Sequence, residues 1–116
     1  MDRVMMTLPF PPTVNTYYRT VNGRMLISRE GREYRQAIAE LAASENWPKF
    51  GSERVSVSIE AWMPDKRRRD LDNLLKSLLD SLTHAGVWDD DSQIDGLAIW
   101  RAPHVGGMVK VEVRAA

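Results

Sequence analysis

The residues best equipped for chemistry lie between Asp65 and Asp95, in the run DKRRRDLDNLLKSLLDSLTHAGVWDDDSQID. Lys66, Arg67, Arg68 and Arg69 lead straight into Asp70 and Asp72, and Asp89, Asp90 and Asp91 follow further on. Hard carboxylate oxygens suit magnesium or manganese, which bind through a few carboxylates, water and substrate phosphate. Cations beside such acids suit a phosphate-bearing substrate. A D-x-D pair alone is weak, because aspartates at this kind of position more often cap a helix.

Chain length strengthens the pattern. A helix from Leu71 to Ala85 rises by ~21 Å, Gly86 reverses the chain, and Val87 to Asp91, extended, returns by roughly 17 Å. This predicts that Asp91 comes back beside Asp70 and Asp72, so that three carboxylates share one ion. The alternative is an acidic loop facing water, which remains open for Asp89 and Asp90; Asp95 opens the next strand. Lys76 stands four residues after Asp72 and four before Asp80. It is either part of an i,i+4 ion-pair ladder worth a few tenths of a kcal/mol or an ammonium at the metal site's edge, facing the scissile phosphate. Lys66, Arg67, Arg68 and Arg69 read as a solvated charge run or, beside an ion, as contacts to DNA phosphates with salt-dependent affinity.

Other chemistries fail on inspection. Asp91, Gln93, Asp95 and Gly96 loosely imitate the start of a calcium loop, but the twelfth position is Ala102 and no helix pattern follows. His84 reads as a cation near a helix C-terminus, and His104 lies in a turn without a second ligand at useful spacing. No phosphate-cradling glycine loop occurs, so no nucleotide cofactor is expected.

The elements that must position these residues follow from periodicity. Arg3 to Leu8 alternates as a strand, ended by Pro9, Pro11 and Pro12. Thr13 to Arg19 reads as a polar and aromatic loop, and Asn22-Gly23 as a type I′ hairpin turn. Ser28 caps a helix over about residues 29 to 45, with Tyr34, Ile38 and Leu41 on its apolar face. Val55 to Met63 is the clearest strand. Leu71, Leu74, Leu75, Leu78 and Leu82 form one stripe of a second helix over about residues 71 to 85, with Asp70 or Asp72 as N-cap and Gly86 at C′. Residues 97–101 and 108–113 alternate, and are predicted to pair as an antiparallel hairpin. The expected fold class is α+β: one domain over residues 1–116, with a mixed β-sheet covered by two main helices.

Composition narrows the class. At 116 residues the chain has a modest stability margin as a monomer, so a homodimer would help. No cysteine is present, which fits a reducing cytoplasm. No segment resembles a signal peptide or membrane span. Net charge is zero, yet residues 1–69 carry 12 basic and 8 acidic side chains against 4 and 8 for the remainder. Binding DNA needs a local patch rather than a basic total.

The run MPDKRRRDLDNLLKSLLDSLTHAGVWDDDSQI closely resembles the RusA-type Holliday junction resolvases. So does LPFPPTVNTYYR, followed by Ser28-x-x-Gly31-x-x-Tyr34-Arg35. The resemblance covers nearly the whole chain. It implies a RusA-like homodimeric endonuclease that uses magnesium, with manganese as a substitute, and binds four-way junction DNA by shape. Such enzymes make paired nicks, typically 5′ to a CC step, and many are carried by prophages. The family's catalytic and metal-binding acids fall on Asp70, Asp72 and Asp91, and its active-site lysine falls on Lys76. Asp90 matches a further acidic position, and Asp89 is an extra acid. A broader branched-DNA nuclease and a non-catalytic DNA-binding protein are the competing readings; the complete acidic set with Lys76 disfavours the second.

Overall fold

Strand β4 (Val55–Trp62) is the spine of the fold. Its alternation buries Val55, Val57, Ile59 and Ala61 on one face and leaves Ser56, Ser58, Glu60 and Trp62 half-buried on the other. In the computed structural model, which describes residues 3–116, β4 lies inside a four-stranded sheet. The order is β1 (Arg3–Pro9), β6 (Met108–Ala115), β4, β5 (Ile94–Arg101). β6 is antiparallel to both its neighbours, and β5 runs parallel to β4.

The predicted hairpin of the last two strands does not form: β4 lies between them. The connection crosses the end of β4, where Ala102 N–H donates to Ala61 O and Gly106 N–H to Met63 O. Gly107, at φ +75°, supplies the reversal that aims the chain into β6. The crossing lets both strands set their apolar faces beside that of β4. β5 also starts earlier than its alternation suggested, at Ile94.

Helix α2 (Arg29–Ser44) begins where predicted, with the Ser28 hydroxyl accepting from Gly31 N–H at 3.0 Å. The second helix is divided. A 3-10 turn at Leu71–Leu74 precedes helix α3 (Leu75–His84), and Gly86, at φ +85°, ends it in the left-handed region. Leu74, Leu78 and Leu82 are fully buried, so the leucine stripe is core against the sheet. Cutting one of them back to Ala would cost about 2–5 kcal/mol.

Where a loop was expected, Val14–Tyr17 form a single helical turn, α1. It leads into a separate two-stranded ribbon, β2 (Tyr18–Val21) and β3 (Arg24–Ile27), joined at Asn22-Gly23 with both residues at positive φ. Among the described residues no helix is long and apolar enough to cross a membrane.

Candidate active site

Half of the eight aspartates of the central stretch are engaged by the protein itself. Asp65 accepts from the Arg67 backbone and from the guanidinium groups of Arg67 and Arg69. Asp80 accepts from Tyr17 and Arg35, Asp90 from Ser92 N–H, and Asp95 from Arg54. Among the described residues, Asp70, Asp72, Asp89 and Asp91 have no such side-chain partner, and the Lys76 ammonium makes no ion pair. All five are exposed. The expected ladder through Lys76 is therefore not built, because Asp80 turns instead to Arg35.

Asp70 and Asp72 sit at the start of the 3-10 turn. Asp70 occupies the cap position in extended backbone, yet its carboxylate caps nothing, which removes the bland explanation for it. Asp90 is the true cap: its side chain receives Ser92 N–H, and Gln93 Oε1 accepts from the N–H groups of Asp89 and Asp90. This capping box fixes the backbone on which Asp91 stands, and it holds the Asp90 carboxyl below the usual carboxylate range.

Within one chain Asp91 does not return to Asp70 and Asp72, and no group of three acidic or histidine side chains able to hold a metal occurs among the described residues. The predicted return fails because Val87 and Trp88 are buried and the chain is pinned at the opposite end of the sheet. Phe50 N–H donates to Val87 O, and Asp89 N–H to Gly51 O. The return is made by β5, whose start pairs with Val55 and whose end pairs with Ala61. Arg101 then donates to Arg69 O at 2.8 Å. Asp91 thus lies at one end of β5 and Asp70 beside the other, separated by roughly 20 Å of strand.

The basic run divides in the same way. Arg69 is largely buried against Asp65, with 17% of its side chain exposed, and so braces the loop rather than presenting a free cation. Arg67 also pairs with Asp65. The Arg69 guanidinium, followed by the Arg67 backbone N–H, holds the Asp65 carboxyl far below its usual range. Lys66 and Arg68 stay exposed and make no ion pair among the described residues. Of the four predicted DNA contacts, these two are the free ones.

Two features escaped the sequence. A concavity of about 270 Å³ adjoins Asp70, lined by Thr13, Asn15, Arg68, Arg69 and Asn73 as well. The proline-rich opening segment was its only signal. The second is the cluster of Tyr17, Arg35 and Asp80, which ties α1, α2 and α3 together. Burial, followed by the hydrogen bond to Asp80, pushes the Tyr17 phenol up to about 12. Burial opposes ionisation of Asp80, but Tyr17, Arg35 and the Lys76 charge outweigh it and hold that carboxyl below its ordinary value. A depressed folded-state pKa stabilises the native chain above the unfolded value of about 4 and loses that stabilisation as pH falls through the folded one. The melting temperature of Asp80→Asn should therefore lie below wild type at neutral pH, equivalent to about 1–3 kcal/mol. The gap should close under acid, and thermal melts across pH would check it; a gap that persists in acid would contradict the ionised cluster.

A family model described as Endodeoxyribonuclease RusA matches residues 9–114. The crossover junction endodeoxyribonuclease rusA of Enterobacteria phage HK97 is 39% identical over 114 residues, covering 97% of this chain and 95% of its own. The protein of the same name from Escherichia coli strain K12 is 41% identical over 107 residues, covering 92% and 89%. That of Enterobacteria phage 82 is 42% identical over the same length. With the match spanning α1, the free acids and the closing strands, this chain belongs to the RusA endodeoxyribonuclease family.

Proposed function

We propose that this protein is a Holliday junction resolvase, a structure-specific endodeoxyribonuclease that makes paired nicks in four-way DNA junctions. One observation carries the reading. Asp65, Asp80, Asp90 and Asp95 are consumed by the fold, whereas Asp70, Asp72 and Asp91, like Asp89, have no side-chain partner among the described residues, and Lys76 makes no ion pair there. The relatives' shared name, crossover junction endodeoxyribonuclease, supplies the substrate class.

The donor set is carboxylate oxygen without sulfur or imidazole, which fits magnesium, or manganese in its place. A bound ion would supply a polarised water and positive charge opposite the phosphate. Asp70 and Asp72 would hold it from one chain. Lys76, one helical turn beyond Asp72, meets the phosphate or the leaving oxygen. Lys66 and Arg68 bind neighbouring phosphates and set the salt dependence of affinity.

Asp91 completes the set from a second copy. β5 is an edge strand, and Leu97 and Trp100 on it are 45% and 47% exposed. A long apolar edge of this kind accepts another strand. Two β5 strands paired antiparallel about a two-fold axis would lay the Ile94 end of one along the Arg101 end of the other. That carries the partner's Asp91 toward Asp70 and Asp72, and the reciprocal site forms by symmetry. The homodimer then offers two sites to a two-fold substrate. The protein works in the cytoplasm and needs no nucleotide cofactor.

Incubating the protein with a synthetic four-way junction and magnesium, beside linear duplex of the same sequence, tests this. Paired symmetric nicks confined to the junction are expected. Equal cutting of linear duplex, or no cutting with magnesium or manganese, would overturn the reading.

A further inference from the structure

The β2–β3 ribbon stands outside the four-stranded sheet and carries none of the central acids. Its strands pair Arg19 with Leu26, Thr20 with Met25 and Val21 with Arg24. Both faces are open: Arg19, Thr20, Arg24, Met25 and Leu26 are all exposed, Met25 at 69%. A two-stranded hairpin is marginal by itself in water, yet this one has a rigid root. Ser28 N–H donates to Tyr17 O at 2.8 Å, and the Ser28 hydroxyl to Thr16 O at 2.6 Å. Gly31 packs so closely that a Cβ there would lie 2.6 Å from Tyr17 O and 2.8 Å from Ile27 Cγ2. The fold thus holds out an element that buries little of its own apolar surface.

Its charge points to the occupant. From Tyr18 to Arg29 the chain carries Arg19, Arg24 and Arg29 and no acid. Arg19 and Arg24 make no ion pair among the described residues. Its position points the same way. A concavity of about 330 Å³ at the ribbon's root is lined by Asn15, Tyr18, Arg19, Thr20 and Met25, with Val14. Asn15 also lines the concavity that holds Asp70. One polar track therefore runs from the Asp70 carboxylate past Asn15 to the ribbon.

We infer that the β2–β3 ribbon is a DNA-engaging arm that follows the substrate away from the scissile phosphate, with Arg19 and Arg24 on backbone phosphates and Met25 against base faces at the branch point. A two-stranded ribbon fits a DNA groove. Methionine and leucine are side chains that wedge where base stacking is interrupted, and the centre of a four-way junction offers such a step. The inference rests on the resolvase reading and deepens it.

The test measures binding of the full chain to a junction carrying 2-aminopurine at the branch point, without divalent metal so that nothing is cut. Two exposed changes are compared with wild type: the double variant Arg19→Ala/Arg24→Ala, and Met25→Ser. Losing two phosphate contacts should flatten the plot of log affinity against log salt by about 1.8, at ~0.9 per phosphate. Met25→Ser should keep the wild-type slope and lose most of the fluorescence rise that reports unstacking. A wild-type slope in the double variant overturns the inference, and so does full fluorescence in Met25→Ser. Loss of dimers in sedimentation with the slope intact would make the ribbon a contact between copies, which also overturns it. If wild type nicks junctions in magnesium while these outcomes fail, the ribbon alone is wrong. If wild type shows no preference for junctions over duplex, both readings fall together.

Discussion

Asp70→Asn should leave junction binding unchanged and lower nicking by more than about a hundredfold. A partner that merely orients a metal ligand is already worth 10–100-fold, and Asp70 is proposed as a ligand itself. The substitution is nearly isosteric. The carboxylate it removes makes no hydrogen bond among the described residues, so stability should not change. DNA affinity is proposed to rest on other groups, Lys66 and Arg68 among them. Gel-shift titration and single-turnover cleavage in magnesium separate the two quantities. Full activity would remove Asp70 from the site, and a parallel loss of binding would make it part of the DNA surface.

The second large effect comes from mixing two dead proteins. Asp70→Asn and Asp91→Asn chains should each be inactive as homodimers. In a mixed dimer with shared sites, one site collects both lesions and the other is intact. Co-refolded mixtures should therefore regain nicking on one strand of the junction per binding event. If each site drew all its acids from one chain, every site in the mixture would carry a lesion and nothing would be regained. The distance along β5 favours recovery: Asp91 and Asp70 flank opposite ends of a strand paired with β4 over its length. Cleavage of a doubly labelled junction by the mixture reads the answer directly.

Local signals in the chain proved more legible than long-range ones. Ser28 as a cap, Asn22-Gly23 as a turn, the alternation of Val55 to Trp62 and the leucine stripe of α3 are all statements about neighbours, and each is met in the structure. The pairing of β5 was misjudged because alternation says which residues share a face, not which strand lies alongside. Two consecutive strands made a hairpin the natural expectation, and the crossing over Ala61 and Met63 left no periodic trace. The acids tell the same story. Their types were readable. Their places in the fold were not, because the buried Val87 and Trp88 decide the path, held by the loop at Phe50 and Gly51. The division of the basic run was hidden as well, since only the folded loop shows that Asp65 captures Arg69.

The position of β6 bears on how the protein is made. The last strand of the chain is an interior strand, paired with β1 on one side and β4 on the other. During synthesis, β1 and β4 leave the ribosome with a gap between them that only residues 108–115 can fill. The sheet therefore stays open until residues 108–115 are free to enter it, and its contacts close over long sequence separations, which slows folding. A chain lacking residues 108–115 would leave β1 and β4 without the strand that joins them, so the four-stranded sheet should not assemble.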